Sequence, residues 1–155
     1  MTDKTPSGAS VKEIKQFRDY IRAVADDLRC KFFLQEYELE FDFNEEEAPD
    51  PHGDGKTGAA KIETDCVYLG ILLIIYHELY NLWQHNQLQK IYQILVHEFC
   101  HALLAPLMRE VQIEAHPNSK SFLVDINERQ TQRIANVICH SDFDTVPWKK
   151  KIVKR

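Results

Sequence analysis

The segment from Leu88 to Ala105 places the strongest constraint on the fold, because its apolar residues cover most of the circumference of a helix. Those residues are Leu88, Ile91, Tyr92, Leu95, Val96, Phe99, Leu103 and Leu104. A helix that is apolar on nearly every side is buried at the centre of a fold. We therefore expect a central helix that begins near Asn86 and ends at Ala105, since Pro106 disfavours helical geometry in the residue before it.

Three ionisable residues lie in the middle of this apolar helix, in the pattern His97-Glu98-Phe-Cys-His101. Residues four apart lie on one helix face, so both imidazoles can bind a single ion. Burying these groups without a partner would be costly, which argues against a chance occurrence of the pattern. Glu98 can accept a proton from a zinc-bound water as that water attacks a carbonyl. The pattern predicts a zinc site with His97 and His101 as ligands and Glu98 as the catalytic base.

Catalytic zinc usually has three protein ligands and one open position, so a third ligand is expected. We expect Glu128 to be that ligand, because small or polar residues on the same face would let its helix approach the metal closely; they are Thr131, Gln132 and Ala135. Gln132, one turn after Glu128, could hydrogen-bond a liganding histidine. Alternatively, Glu128 is an exposed residue in the first turn of a helix, where the dipole favours an acid. Other residues considered for the third position are His116, His140, Asp125 and Glu114.

Outside the central helix, helical and extended patterns follow one another along the chain. The capping-box spacing of Ser10 and Glu13 opens a first helix that should run to about Cys30. Apolar and acidic residues alternate from Tyr37 to Phe43, which predicts a half-exposed strand. The remaining predicted elements are a short strand at Ala59–Thr64, a strand from Cys66 to about His77, an irregular stretch at Val111–Ser121 and a third helix at Val124–Cys139.

These elements predict an α+β fold in which a short sheet packs on the buried helix, with the N-terminal helix behind. We expect the sheet to be mainly antiparallel, because the connections are too short for crossovers. The expected organisation is a disordered tail at residues 1–9, a single domain at 10–146 and a basic tail at 147–155. The acidic segment 44–58 is broken by proline and glycine, which predicts a loop that could move over a cleft.

Composition narrows the classes of partner. A formal net charge of −5 argues against nucleic acid as the main partner, because phosphate binding needs a strongly basic face. The four cysteines are widely spaced, and the polar N-terminus has no secretory h-region, so a reducing cytoplasm is expected. The longest apolar run, Cys66–Tyr76, is too short to span a membrane.

Three segments carry a resemblance to a known family. They are Ile62-Glu-Thr-Asp65 before an apolar strand, Ile94–Leu107 around the HExxH motif, and Asn127–Asn136 with its Asn-Glu opening. In this order they resemble the glutamate-zincin metallopeptidases, and more narrowly the short metallopeptidase-like proteins encoded by phages and prophages. The segments lie within Ala59–Cys139, about half of the chain.

The resemblance implies a zincin-like fold, a Zn²⁺ cofactor and hydrolysis of peptide bonds in a protein or peptide substrate. It also implies that Glu128 is the third metal ligand, and that the strand ending near His77 flanks the cleft and pairs with an extended substrate. Thermolysin-like members carry an acidic residue four positions after that glutamate, and this chain departs from them at Gln132.

Two other functions fit the same residues. One is an SprT-like zincin, which uses a histidine as the third ligand. The other is a non-catalytic, zinc-stabilised phage-type protein that binds a host protein. Residues considered for oxyanion stabilisation are His77, His85, His116, His140 and Tyr92, although each histidine is more commonly a surface or core-edge residue. Cys100 is expected to be a small core hydrophobe.

Overall fold

The computed structural model describes residues 10–44, 58–114 and 119–142. In chain order the elements are α1 (Val11–Lys31), β1 (Glu38–Phe43), β2 (Ala60–Asp65), β3 (Gly70–Ile75), α2 (His77–Gln84), α3 (Leu88–Glu114) and α4 (Lys120–Asp142). These four helices and three strands confirm the α+β class. The predicted tails at residues 1–9 and 147–155, and residues 45–57 of the acidic segment, lie outside the described residues.

The first helix begins with the predicted capping box. The Ser10 hydroxyl accepts a hydrogen bond from the Glu13 amide at 3.2 Å, and the Ser10 amide donates to Glu13 Oε2 at 3.1 Å. Two amides that the helix itself leaves unpaired are satisfied in this way. Phe17 on the buried face of α1 packs edge-on against Phe43 of β1 and Tyr80 of α2. Helix α1 therefore joins the sheet to the helical layer, as expected for a helix behind the site.

The sheet is mixed rather than mainly antiparallel. Its strand order is β1-β3-β2, with β3 parallel to β1 and antiparallel to β2. The prediction failed because it took the connections to be too short for a crossover. The 16 residues between Phe43 and Ala60 are enough chain to leave room for β3 between β1 and β2. Strand β2 is consequently an edge strand.

The predicted strand from Cys66 to His77 is shorter than expected. Residues 66–69 form a turn, in which Asp65 Oδ1 accepts hydrogen bonds from the amides of Val67 and Tyr68 at 2.9 and 3.1 Å. Strand β3 begins only at Gly70. Helix α2 was not predicted, because its eight residues are too few to show a helical period clearly.

Helix α3 continues past the predicted end at Ala105 and includes Pro106. A proline inside a helix removes one backbone hydrogen bond, but neighbouring bonds can keep the helix continuous. The predicted irregular stretch Val111–Ser121 is also wrong at both ends. Val111–Glu114 belongs to α3 and Lys120 begins α4, which starts before the predicted Val124.

The core lies around the N-terminal half of α3, which packs against α1, α2, β2 and α4. Tyr92, Leu95, Val96 and Phe99 have no exposed surface. By length and composition alone, Leu88–Ile113 is apolar enough to cross a membrane, and 39% of its most apolar window is buried in the fold. The core helix of a water-soluble protein meets the same criterion. The absence of a membrane span therefore stays a prediction.

Candidate metal centre

Helix α3 presents two imidazoles one turn apart toward α4. The Nε2 atoms of His97 and His101 are 3.1 Å apart, and the two rings meet nearly edge to face at 79°. Both side chains are about one fifth exposed. The i,i+4 spacing of the motif therefore brings the two nitrogens together, as the sequence predicted.

Helix α4 brings a carboxylate to the same point. Glu128 Oε2 lies 3.5 Å from His97 Nε2, and Glu128 Oε1 lies 3.3 Å from His101 Nε2. Thr131 and Ala135, on the face of α4 toward α3, are 0% and 2% exposed. These small side chains let the two helices approach closely, which places the carboxylate beside the histidines.

The spacing of the three donors is compatible with a bound metal ion. Ligand bonds of about 2.0–2.2 Å to zinc place neighbouring donors roughly 3.3–3.5 Å apart at the tetrahedral angle. The two ring nitrogens are 3.1 Å apart, and each lies 3.3–3.5 Å from a different oxygen of the Glu128 carboxylate, so the donors are close enough together to hold one ion. One donor atom from each of His97, His101 and Glu128 lies within 4.8 Å of the others, forming a His-His-Glu group that could hold an ion.

Burial also favours the neutral form of His101 that a metal requires. It lowers the pKa of His101 below the ordinary value, while the Glu128 carboxylate opposes this shift and His97 reinforces it. An imidazole must be deprotonated at the nitrogen that binds a metal. The environment of His101 therefore lessens competition between protons and a metal.

Glu98 lies beside this group without belonging to it. Its Oε2 accepts a 3.0 Å hydrogen bond from the backbone amide of Ile62 in β2. Burial raises the pKa of Glu98 to about 7, the Ile62 amide and Lys61 lower it, and Glu128 raises it further. A carboxyl with a pKa near neutrality can accept and return a proton at physiological pH.

Two side chains of α4 contact the other ring nitrogen of His101. Asn127 Nδ2 lies 3.3 Å and Thr131 Oγ1 lies 3.4 Å from His101 Nδ1. The sequence suggested Gln132 for this role, but that prediction is wrong. Gln132 is exposed and donates to Asn136 Oδ1 at 2.9 Å, because its position turns it away from α3.

Sequence reasoning missed Asn127 and Ile62. Asn127 lies one turn before Thr131 on the same helix face, so the spacing alone could have suggested it. No local pattern could have suggested Ile62, because its contact with Glu98 joins residues 36 apart.

Among the described residues, the candidates Asp125, His85 and His77 do not belong to the group. Asp125 is exposed, and His85 Nδ1 lies 2.8 Å from the Asn81 carbonyl. His77 lies at the start of α2, with its ring 6.4 Å from that of Tyr80. His116 and the side chains of Glu114 and His140 lie outside the described part of the chain.

Two buried candidates belong to the core. Cys100 has no exposed surface, and burial raises the pKa of its thiol to about 12, as expected for a core residue. Tyr92 is equally buried, and Lys31 Nζ lies 3.5 Å from its hydroxyl.

Comparison of the chain with family models, with curated proteins and with solved structures finds no match.

Proposed function

We propose that this protein is a zinc-dependent metallopeptidase whose metal is held by His97, His101 and Glu128. The observation that carries the proposal is the convergence of one donor atom from each of His97, His101 and Glu128 to within 4.8 Å, with the Glu98 carboxylate outside this group. A purely structural zinc site usually has four protein ligands and no need of a base. Three donors with an adjacent carboxylate are the arrangement of a hydrolytic site.

Each residue would have a distinct task. A bound zinc ion lowers the pKa of a coordinated water towards about 7 and polarises a carbonyl. Glu98 takes the proton from the attacking water and returns it to the leaving amine. The Ile62 amide fixes one oxygen of Glu98, so the carboxylate keeps its orientation through both transfers. His97, His101 and Glu128 join α3 to α4 at the reacting centre.

The edge of the sheet supplies a place for an extended substrate. The resemblance suggested pairing with the strand that ends near His77, but β3 is bonded on both sides by β1 and β2. The free edge next to Glu98 belongs to β2. In an antiparallel pair, alternate residues point their backbone groups away from the partner strand. The Ile62 amide points outward to Glu98, so the Thr64 amide, two residues on, points to the same side.

Metal content and peptide cleavage test the proposal together. Purified protein should contain one zinc ion per chain by elemental analysis and should cleave members of a mixed peptide library followed by mass spectrometry. E98Q should keep the zinc and lose about 100-fold or more in turnover, because the proton acceptor is removed. E110Q, at an exposed position on the same helix, is the matched control and should cleave like wild type.

Two results would overturn the proposal. Cleavage by E98Q at the wild-type rate would remove Glu98 from the reaction. Stoichiometric zinc without cleavage of any library member would favour the non-catalytic alternative. A histidine third ligand, as in SprT-like proteins, would be indicated if loss of Glu128 left zinc binding unchanged.

A further inference from the structure

His101 is contacted on both ring nitrogens, and the two sides make different demands on its proton. On one side, Nε2 lies 3.1 Å from His97 Nε2 and 3.3 Å from Glu128 Oε1. On the other side, Nδ1 lies 3.3 Å from Asn127 Nδ2 and 3.4 Å from Thr131 Oγ1. A neutral imidazole has one N–H and one unprotonated ring nitrogen. His101 can therefore donate a hydrogen bond on only one of its two sides and can only accept on the other.

The distances around His101 allow a proton on Nε2. In that tautomer His101 Nε2 donates to the Glu128 carboxylate, and Nδ1 accepts from the Asn127 amide nitrogen. This arrangement leaves Asn127 Oδ1 buried without a hydrogen-bond partner among the described residues. An unsatisfied buried acceptor costs free energy.

Metal binding through Nε2 requires the opposite tautomer. The proton must then lie on Nδ1, which needs an acceptor opposite it. The Thr131 hydroxyl can accept, but the Asn127 NH₂ group cannot. Rotation of the Asn127 amide by half a turn exchanges its oxygen and nitrogen at nearly unchanged shape. The orphaned Oδ1 would then face Nδ1–H, and the unsatisfied acceptor would gain a partner.

We propose that Asn127 and Thr131 are positioning residues that hold His101 in its metal-binding tautomer, and that the Asn127 amide reverses when the metal binds. The inference rests on the proposed function, in which His101 Nε2 binds zinc. Thr131 is fully buried, and its hydroxyl lies directly opposite His101 Nδ1. His97 Nδ1, by contrast, is buried with no hydrogen-bond partner among the described residues. The proposed control of the tautomer therefore acts through His101.

Zinc affinity, measured by competition with a chromophoric chelator, tests the proposal without reference to activity. N127L and T131V keep the approximate shape but remove the acceptor, and each should weaken zinc affinity by roughly 10–100-fold. N127D and T131S keep an acceptor and should bind zinc at least as tightly as wild type. Q132A is the matched control on α4, because Gln132 bonds Asn136 instead of His101. It should bind zinc like wild type.

The tautomer itself is a second measurement. Nitrogen NMR of the His101 ring should place the proton on Nε2 in metal-free wild type and on Nδ1 after zinc is added. In metal-free N127D the proton should already lie on Nδ1, because a carboxylate can only accept. A variant that is merely unfolded would lose its helical circular dichroism and could not give these ring signals.

Specific outcomes separate this inference from the proposed function. Equal loss of affinity in N127L and N127D would show that side-chain packing matters, and would overturn the acceptor role. Wild-type affinity in both N127L and T131V, beside a large loss in E128A, would also overturn it while leaving the metal site intact. Failure of wild-type protein to bind zinc would instead overturn the proposed function on which the inference rests.

Discussion

The backbone amide of Ile62 donates a 3.0 Å hydrogen bond to Glu98 Oε2 and so connects the edge strand β2 to the motif helix α3. This bond fixes the carboxylate next to the His-His-Glu group. It also ties the proposed base to the strand on which a substrate would lie. One contact between residues 36 apart therefore links the Glu98 carboxylate directly to the backbone of β2.

The ionisation of Glu98 should make the stability of the metal-free protein depend on pH. Burial raises the folded-state pKa from 4.5 to about 7, so the folded protein holds this proton to higher pH than the unfolded chain. The stabilisation is complete below about pH 4.5 and is lost as the pH rises through 7. Residue 98 cannot ionise in E98Q. The free energy of unfolding of E98Q minus that of wild type should therefore increase with pH across this window, and the difference should stay constant above it.

Urea unfolding of chelator-treated protein at several pH values measures this difference. E110Q removes one negative charge at an exposed position on α3 and controls for the change in net charge. A gap between E98Q and wild type that is the same at pH 4 and pH 8 would contradict the prediction.

Loss of Glu128 should weaken zinc binding far more than loss of a nearby carboxylate. E128A removes one of three converging donors, so affinity should fall by more than the roughly 10–100-fold typical of a partner that only supports a ligand. D125A, one turn earlier on α4 and exposed, is the matched control and should bind like wild type. Isothermal titration with zinc measures both, and equal affinities of the two variants would exclude Glu128 as a ligand.

The two histidines of the motif could be predicted from local sequence. The position of the third donor, Glu128, depends on how two helices pack in the tertiary fold. The spacing of His97 and His101 on one helix fixes their convergence, whatever the helix packs against. Glu128 required a second helix at the right distance, and only the small buried residues Thr131 and Ala135 hinted at that approach. The Gln132 error arose because a one-residue difference turns a side chain by about 100° on a helix.

The order of the strands was harder to predict from the sequence than the positions of the helices. Local alternation predicted β1, and β2 was also expected as a short strand, but which strands pair depends on contacts between distant residues. The insertion of β3 between them is set by burial of Ile71, Leu73 and Ile75 against the core, which no spacing rule reveals. Likewise, the rule that a helix ends before a proline failed at Pro106, which lies inside α3.

Replacement of Pro106 should stabilise the protein. P106A restores a backbone N–H within α3 and removes a residue that costs up to about 3 kcal/mol inside a helix. Pro106 is exposed, so little packing is lost. P106G restores the same N–H but should gain about 1 kcal/mol less, because glycine is a poorer helix former than alanine. Urea unfolding gives both values, and a P106A variant no more stable than wild type would show that the proline is compensated by its surroundings.

The outward amide of Thr64 offers a test of the substrate edge. T64P removes this N–H, and the alternation of β2 leaves the hydrogen bonds to β3 untouched, since these come from Glu63 and Asp65. Proline is tolerated at such outward positions of edge strands. Loss of one hydrogen bond to an extended substrate should raise KM by about 2–10-fold. Zinc affinity should not change, because no metal donor is touched.

T64A keeps the amide and removes only the side-chain hydroxyl, so it should retain the wild-type KM. Steady-state kinetics with one cleavable peptide, beside urea unfolding of both variants, separates loss of pairing from loss of fold. Equal KM values for T64P and T64A, with equal stability, would mean that the substrate does not pair with β2 at this position.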